Sequence, residues 1–456
     1  GGYTYTGARS EARDLSWDEV VAVLKRERAA LVEFELLEAN GKRGQRATEL
    51  VVWVVTMDGT LAAHQKVEIA SVLDGPGERF IETLATSMED SLRIYGRALL
   101  RKLFNLCIAP ILPALRTSRE LILVPHGPMC LIPWAAVMNQ RGGYLLENHS
   151  LRLAPHLRMM RDLHRAQDMT LRLRPGPGLT GARGGGVVIG NPMPISGKFG
   201  TGVAEDGELL HAASEVEASV GSLEGRGVQV RTIVTSAATK ATCLAALEGA
   251  SWVHIVAHVE DRQLLLAQDP SAPRPPPDPG QPVVPPRRRK GKEPEWKGDD
   301  GVTTFEEVAG VRLMSGATVI LSACNACRDH ARMFDLTTAF MRAGASAVLM
   351  SMWSLVDEST TALMRRFYSH LNAGKTLPEA LRAAMLQMSG RLYGEELDSW
   401  DAKDTPYEDL PYSRPLHWSG LMVVGCATAL PKANPNRMKL PGASLVAAGG
   451  GAVGGE

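Results

Sequence analysis

Hydrophobic and polar positions follow two different rhythms along this chain. In the first, Ser16-Trp17-Asp18-Glu19 forms a capping box ahead of Val20, Val21, Val23 and Leu24, which predicts a short helix. Apolar runs over residues 31–37 and 50–56 predict strands. Asp58-Gly59 follows as a two-residue hairpin signal, and residues 60–69 are expected to return antiparallel. An amphipathic pattern over residues 78–106 predicts a long helix. From about residue 119 the rhythm changes to short, continuously apolar strands at 121–124, 187–189, 228–234, 252–257, 318–321 and 346–350. Helical patterns at 208–223, 238–247 and 336–343 lie between several of them. Such alternation predicts an α/β fold with a largely parallel sheet covered on both faces. Ligands of such sheets sit beyond the carboxyl ends of the strands.

One stretch breaks the pattern. Ten prolines lie between Pro270 and Pro294, with the basic run Arg287-Arg288-Arg289-Lys290 inside it. That composition cannot bury enough apolar surface to order itself, so residues 267–300 are expected to be a disordered insertion. Residues 431–456, ending in a glycine-rich segment, are expected to be a flexible tail. A domain division at about residue 175 is expected, with a first lobe over 10–175 and a second over 176–430.

Composition narrows the function classes. Fifty basic and 50 acidic residues balance to zero net charge, so net charge offers no attraction for nucleic acid. No apolar run reaches the roughly 18 residues of a membrane span, and no signal peptide opens the chain. Neither a nucleic acid nor a membrane is therefore expected as a partner. Six cysteines in 456 residues are too few for a disulfide scaffold, which points to a reducing, cytoplasmic setting. The chain starts with glycine rather than methionine, as expected of a fragment or a processed piece.

Two strand ends carry the chemistry. Residues 252–258 form an apolar strand ending in His258, and residues 318–324 form one ending in Cys324. If those strands are parallel neighbours, a thiol and an imidazole emerge on one edge, the minimum for a cysteine nucleophile. Two buried, inert side chains would satisfy the same pattern. Cys324, Cys327 and His330 also form C-x2-C-x2-H, three zinc-type ligands or a redox pair, although no second cluster completes a metal site. Gly176-Pro-Gly178-Leu-Thr-Gly181 matches a dinucleotide fingerprint by spacing, but it precedes a strand instead of following one.

At these residues the chain resembles the CHAT domain family, of the caspase, separase and gingipain clan of cysteine peptidases. His258 resembles the clan's strand-end histidine, and Ser322-Ala323-Cys324 its nucleophile motif. Further likeness lies in residues 124–133, 144–147, 301–308, 340–348, 352–357, 377–384 and 417–425. The resemblance implies a caspase-like α/β/α sandwich preceded by an α+β, pseudo-caspase-like lobe. It implies a cysteine endopeptidase acting on protein substrates through a His258–Cys324 dyad, with no cofactor and no metal. The oxyanion would rest on the N–H groups of Val259 and Cys324. The family usually has glycine after the histidine, and valine cannot reach the positive φ angles open to glycine. An inactive scaffold that binds other proteins is the alternative. Tetratricopeptide repeats, which often precede such domains and gate them, are expected only upstream of Gly1, and a regulatory protein is an alternative partner. Trp353 to Asp357 resembles a segment that lines the pocket for a basic P1 side chain. Asp357 or Ser354 would equally serve as the cap of a helix over 358–371.

Overall fold

The computed structural model describes residues 15–38, 47–69, 88–172, 184–193, 209–260, 263–272, 298–323, 334–353, 355–390 and 412–428. The chain opens with helix α1 (Trp17–Glu27), whose capping box forms as expected: Glu19 N–H donates to Ser16 Oγ and Ser16 N–H to Glu19 Oε2. Strands β1 (Ala30–Glu38), β2 (Ala47–Val55) and β3 (Leu61–Glu68) follow as an antiparallel set. The hairpin lies at Asp58-Gly59, but its loop is wider than two residues. Thr56 N–H bonds to Thr60 O, and Gly59 N–H bonds to Thr56 O with Gly59 at φ +89°. Asp58 Oδ1 accepts from Thr56 Oγ1 and Thr60 N–H, which widens the turn and shifts the register after Val54. β3 forms one edge of the sheet, and its exposed His64, Gln65, Lys66 and Glu68 discourage pairing with another chain.

Helix α2 (Met88–Cys107), β4 (Glu120–Val124), β5 (Ser150–Leu153) and helix α3 (Leu157–Arg172) come next. The second rhythm of the sequence then supplies β6 (Gly186–Gly190), α4 (Ala212–Glu224), β7 (Val230–Val234), α5 (Lys240–Leu247), β8 (Trp252–Glu260) and β9 (Gln263–Leu265). After these come α6 (Phe305–Gly310), β10 (Ala317–Ala323), α7 (Asp335–Arg342), β11 (Ala345–Ser351), α8 (Asp357–Asn372), α9 (Leu377–Met388) and β12 (Leu421–Gly425). One continuous sheet runs β3-β2-β1-β4-β5-β12-β11-β10-β8-β6-β7. β6, β7, β8, β10 and β11 are mutually parallel, and β1, β4, β5 and β12 are parallel to one another. β12 pairs antiparallel with β11, so strand direction reverses there and the two halves present their carboxyl ends on opposite edges. The chain is thus α/β with a mostly parallel sheet, as expected.

Every residue of β6, β10, β11 and β12 is buried, which explains the unbroken apolar runs. Each fully buried Val, Leu or Ile contributes about 1.5–3 kcal/mol. Both faces are covered. On one, His254 of β8 meets Glu215 of α4 and Tyr368 of α8. On the other, Thr337 of α7 reaches Met350 of β11. Motifs distant in sequence also meet: the Tyr144 ring stands edge-on to Trp418 at 5.1 Å, and Arg382 bonds to the Leu146 and Glu147 carbonyls.

A buried ion network sits beside β12. Arg152 of β5 is fully buried and pairs with Glu27 at 2.6 Å and Glu120 at 2.5 Å, and it donates to Gly425 O at 2.9 Å. Burial raises the Glu27 pKa, but bonds from His164, Arg152 and Ala427 outweigh it and hold the carboxyl down at about 2.

The proline-rich insertion is ordered at both ends, further in than composition suggests. Asp269 and Asp299 exchange both backbone hydrogen bonds at 2.8 Å, so its two ends meet. Lys240 pairs with Asp299 and Glu307 and donates to Val302 O. Gly301, at φ +77°, presses so closely on Leu266 that a Cβ would lie 2.1 Å from its carbonyl oxygen. The expected disorder over 267–300 therefore does not hold for 267–272 and 298–300; residues 273–297 lie outside the described residues. Among the described residues no single helix is long and apolar enough to cross a membrane.

Because the ends of the insertion are already bonded together and loop closure depends weakly on length, replacing 273–297 with a short Gly/Ser bridge leaves the melting temperature nearly unchanged; a large loss would give the segment a packing role. Arg152→Ala strands two buried carboxylates and costs about 3–5 kcal/mol in chemical denaturation. Since the Glu27 pKa is lower in the folded state, its contribution is complete above about pH 4.5 and is lost as pH falls toward about 2. Glu27→Gln removes that part of the acid dependence.

Candidate active site

β8 and β10 are hydrogen-bonded parallel neighbours, with Val256 opposite Ser322 and Ala257 opposite Ala323. Residues paired this way point to the same face of the sheet. His258 is the next residue of β8 and is buried. The described part of β10 ends at Ala323; Cys324, Cys327 and His330 lie outside the described residues. Ser351, the last residue of β11, donates its hydroxyl to the Ala323 carbonyl. This contact ties the end of the candidate nucleophile strand to its neighbour.

β8 does not turn after His258. Instead it continues through Val259 and Glu260, pairing antiparallel with β9 as His258–Leu265, Val259–Leu264 and Glu260–Gln263. Leu264 uses both its backbone groups on Thr303, its N–H bonding to Thr303 Oγ1 and its carbonyl accepting from Thr303 N–H. The Val259–Leu264 pair is therefore of the non-hydrogen-bonded kind, and the Val259 N–H points away from β9. Val256 O accepts from Asn191 on the β6 side, and alternation along the strand turns the Val259 N–H toward the β10 side. Extended backbone at Val259 suits a β-branched residue, and Val259 has no positive φ.

Asp357 is the first residue of α8, but it does not cap that helix; the N-cap position is Val356, which has no side-chain bond. The Asp357 carboxylate instead accepts from the His211 N–H at 2.8 Å, at the entrance to α4. Ser354 lies outside the described residues. Next to Asp357, Glu358 accepts from the Tyr412 hydroxyl, and that bond, together with burial, pushes the Tyr412 pKa up to about 12. Trp353 is buried against Gly420, where a Cβ would meet the indole at 2.8 Å. Among the described residues its indole N–H finds no acceptor. Trp353 and Asp357 follow β11, so they stand at the same carboxyl edge as His258.

Two contributors escape sequence reasoning. Ser351 stands where the apolar run of β11 ends, and a polar residue at a buried strand end was the available signal. Thr303 is a buried threonine beside the insertion, and nothing in the sequence marks its bonds to Leu264. His254, one turn of alternation below Val256, belongs to a separate buried network with Tyr368 at 2.6 Å and Glu215 at 2.9 Å.

The four described cysteines offer no nucleophile. Cys107, Cys130, Cys243 and Cys426 are all buried. Desolvation raises every one of these thiols, Cys130 and Cys243 to about 12.

The family model of the CHAT domain matches residues 97–426. Tetratricopeptide repeat protein 28 of Homo sapiens is 26% identical over 354 residues, covering 73% of this chain. Its Mus musculus counterpart is 25% identical over 350 residues, covering 72%. The chain spans 13% of the length of each of these relatives. Among solved structures, the Arg-specific cysteine proteinase gingipain R shares 10% identity at a TM-score of 0.39, over 78% of this chain and 75% of that one. The Saccharomyces cerevisiae separase–securin complex shares 9% at a TM-score of 0.45, over 90% and 31%.

Proposed function

The chain belongs to the CHAT domain family, and on that premise we propose that it is a cysteine endopeptidase using Cys324 and His258. The observation that carries this reading is the parallel register of β8 and β10, in which Ala257 faces Ala323. His258 follows Ala257 in the sequence, and Cys324 follows Ala323. None of the four described cysteines, all buried, is placed as a nucleophile, so Cys324 and Cys327 are the remaining candidates for that role.

In this reading the Cys324 thiolate adds to the scissile carbonyl carbon, and the carbonyl oxygen takes the negative charge. The Val259 N–H, turned toward β10, and the Cys324 N–H would receive that oxyanion. The intermediate collapses with loss of the amine, which takes its proton from the His258 imidazolium. Water then hydrolyses the thioester, with His258 as the base, and restores the thiol. Asp357 would receive a basic P1 side chain by a charge-assisted bond, with Trp353 as the wall beside it. Among the described residues the buried Trp353 indole N–H has no acceptor, and a substrate carbonyl at this edge would supply one. Such thiol chemistry suits a reducing, cytoplasmic setting. The relatives are tetratricopeptide repeat proteins by name, and repeats or a regulatory protein are proposed to present the substrate.

A second reading, an inactive CHAT scaffold that binds proteins at the same edge, is favoured by Val259 standing where the family usually has glycine. Covalent labelling of Cys324 by an electrophilic peptide separates the two.

For the peptidase, Cys324→Ala abolishes turnover while Cys327→Ala keeps most of it, and His258→Ala costs several orders of magnitude in kcat/KM. Equal loss from both cysteine substitutions would move the reading to a metal or redox role for the pair. In a peptide library, Arg or Lys at P1 is preferred, and that preference disappears in Asp357→Asn. Asparagine keeps an oxygen for the His211 N–H, so its melting temperature stays close to that of the parent. A preference for Met or Leu at P1 would leave Asp357 as a structural acceptor for α4 alone.

A further inference from the structure

Three metal-type donors converge beside β12, on the side of the sheet's seam away from His258. Glu27 at the end of α1, His164 in α3 and Cys426 just past β12 are all buried. One donor atom of each lies within 4.8 Å of the other two. Glu27 divides its oxygens between two tasks: Oε1 faces His164 Nε2 at 2.5 Å, while Oε2 accepts from Arg152 at 2.6 Å and from the Ala427 N–H at 2.9 Å.

We propose that Glu27, His164 and Cys426 form a binding site for a zinc-type divalent cation. Carboxylate, imidazole and thiolate are the donors such ions take, and three protein ligands leave a fourth position to water. The bonds from Arg152 and Ala427 to Oε2 fix the carboxylate from behind, as outer partners do for a metal ligand. Arg152 itself is tied to Glu120 and to the Gly425 carbonyl, so it serves the site as a support.

Charge accounting is compatible with the ion. Binding releases the Cys426 thiol proton to solvent, and His164 coordinates through Nε2 with its remaining proton on Nδ1. The 2+ charge is then matched by the Glu27 carboxylate and the Cys426 thiolate, and Arg152 is matched by Glu120. The whole buried cluster comes to zero net charge, which a low-dielectric site requires. The ligands come from α1, from α3 and from just past β12, so the ion would clasp β12 to both helices. The site is independent of the proposed peptidase chemistry.

The test uses the full chain carrying Cys324→Ala and Cys327→Ala, which removes the sequence motif that could bind the same ions. Cobalt(II) is the probe. One equivalent should produce a thiolate-to-cobalt charge-transfer band, which added zinc abolishes, and zinc should raise the melting temperature by several degrees. Adding Cys426→Ala removes the band, and His164→Gln weakens cobalt binding by roughly tenfold or more. If Cys426→Ala does not fold, His164→Gln alone decides. A folded background variant with no charge-transfer band, or a band that survives Cys426→Ala, overturns the proposal, as does unchanged cobalt affinity in His164→Gln.

Discussion

Strand β12 is bonded antiparallel to β11 on one side and parallel to β5 on the other, and the single sheet depends on that double pairing. The strand closest to the end of the described chain thus lies in the middle of the sheet, between β5 and β11. Its placement requires Arg152, on the neighbouring strand, to go fully into the interior. A lone buried guanidinium would be prohibitive. Glu27 and Glu120 neutralise it, and the Gly425 carbonyl at the end of β12 takes a further hydrogen bond. Buried ion networks of this kind add little net stability compared with an apolar core, but removing one partner costs heavily.

Reversal of direction at β12 gives the two edges of the sheet different contents. The carboxyl ends of β8, β10 and β11 open together on one edge, and there the polar groups gather: His258, the Val259 N–H, Ser351 and the start of α8. Contacts behind this edge hold it in place. Ser351 binds the Ala323 carbonyl, Thr303 occupies both backbone groups of Leu264, and Asp357 anchors the entrance to α4. At the base of the long insertion between β9 and α6, Asp269 and Asp299 pair through their backbones. The ends of β12 and α1, with His164 of α3, hold the buried Glu27 cluster instead.

Much of the fold was legible in the sequence. Unbroken apolar runs located β4, β6, β8, β10 and β11, because strands buried on both faces have no polar positions to interrupt them. The capping box of Ser16 and the position of the hairpin at Asp58-Gly59 were equally legible, since both depend on residues within one or two turns of each other. β5 was missed: it has only four residues, and Arg152 among them disguises a buried strand. The charge there makes sense only beside Glu27, which is 125 residues away in sequence. α3 was missed as well, its buried positions scattered among arginines, histidine and aspartates whose partners Glu19 and Glu27 lie in α1.

The candidate site divides in the same way. By itself the sequence marked His258 and Cys324 as polar residues that close apolar runs, because such a run is a local pattern, but it did not show that β8 continues past His258 to Glu260. It also placed Asp357 next to the start of a helix over 358–371, but did not show what its carboxylate does; the bond to the His211 N–H joins two helices distant in sequence. That β8 and β10 are neighbours, parallel and in the register that sets Ala257 opposite Ala323, was decided only by the tertiary structure. So was the direction of the Val259 N–H, which depends on Leu264 being occupied by Thr303. Strand order, register and the aim of a backbone amide arise from pairing between distant segments. A one-dimensional pattern of apolar and polar residues records that a strand is buried, but not which strand lies beside it.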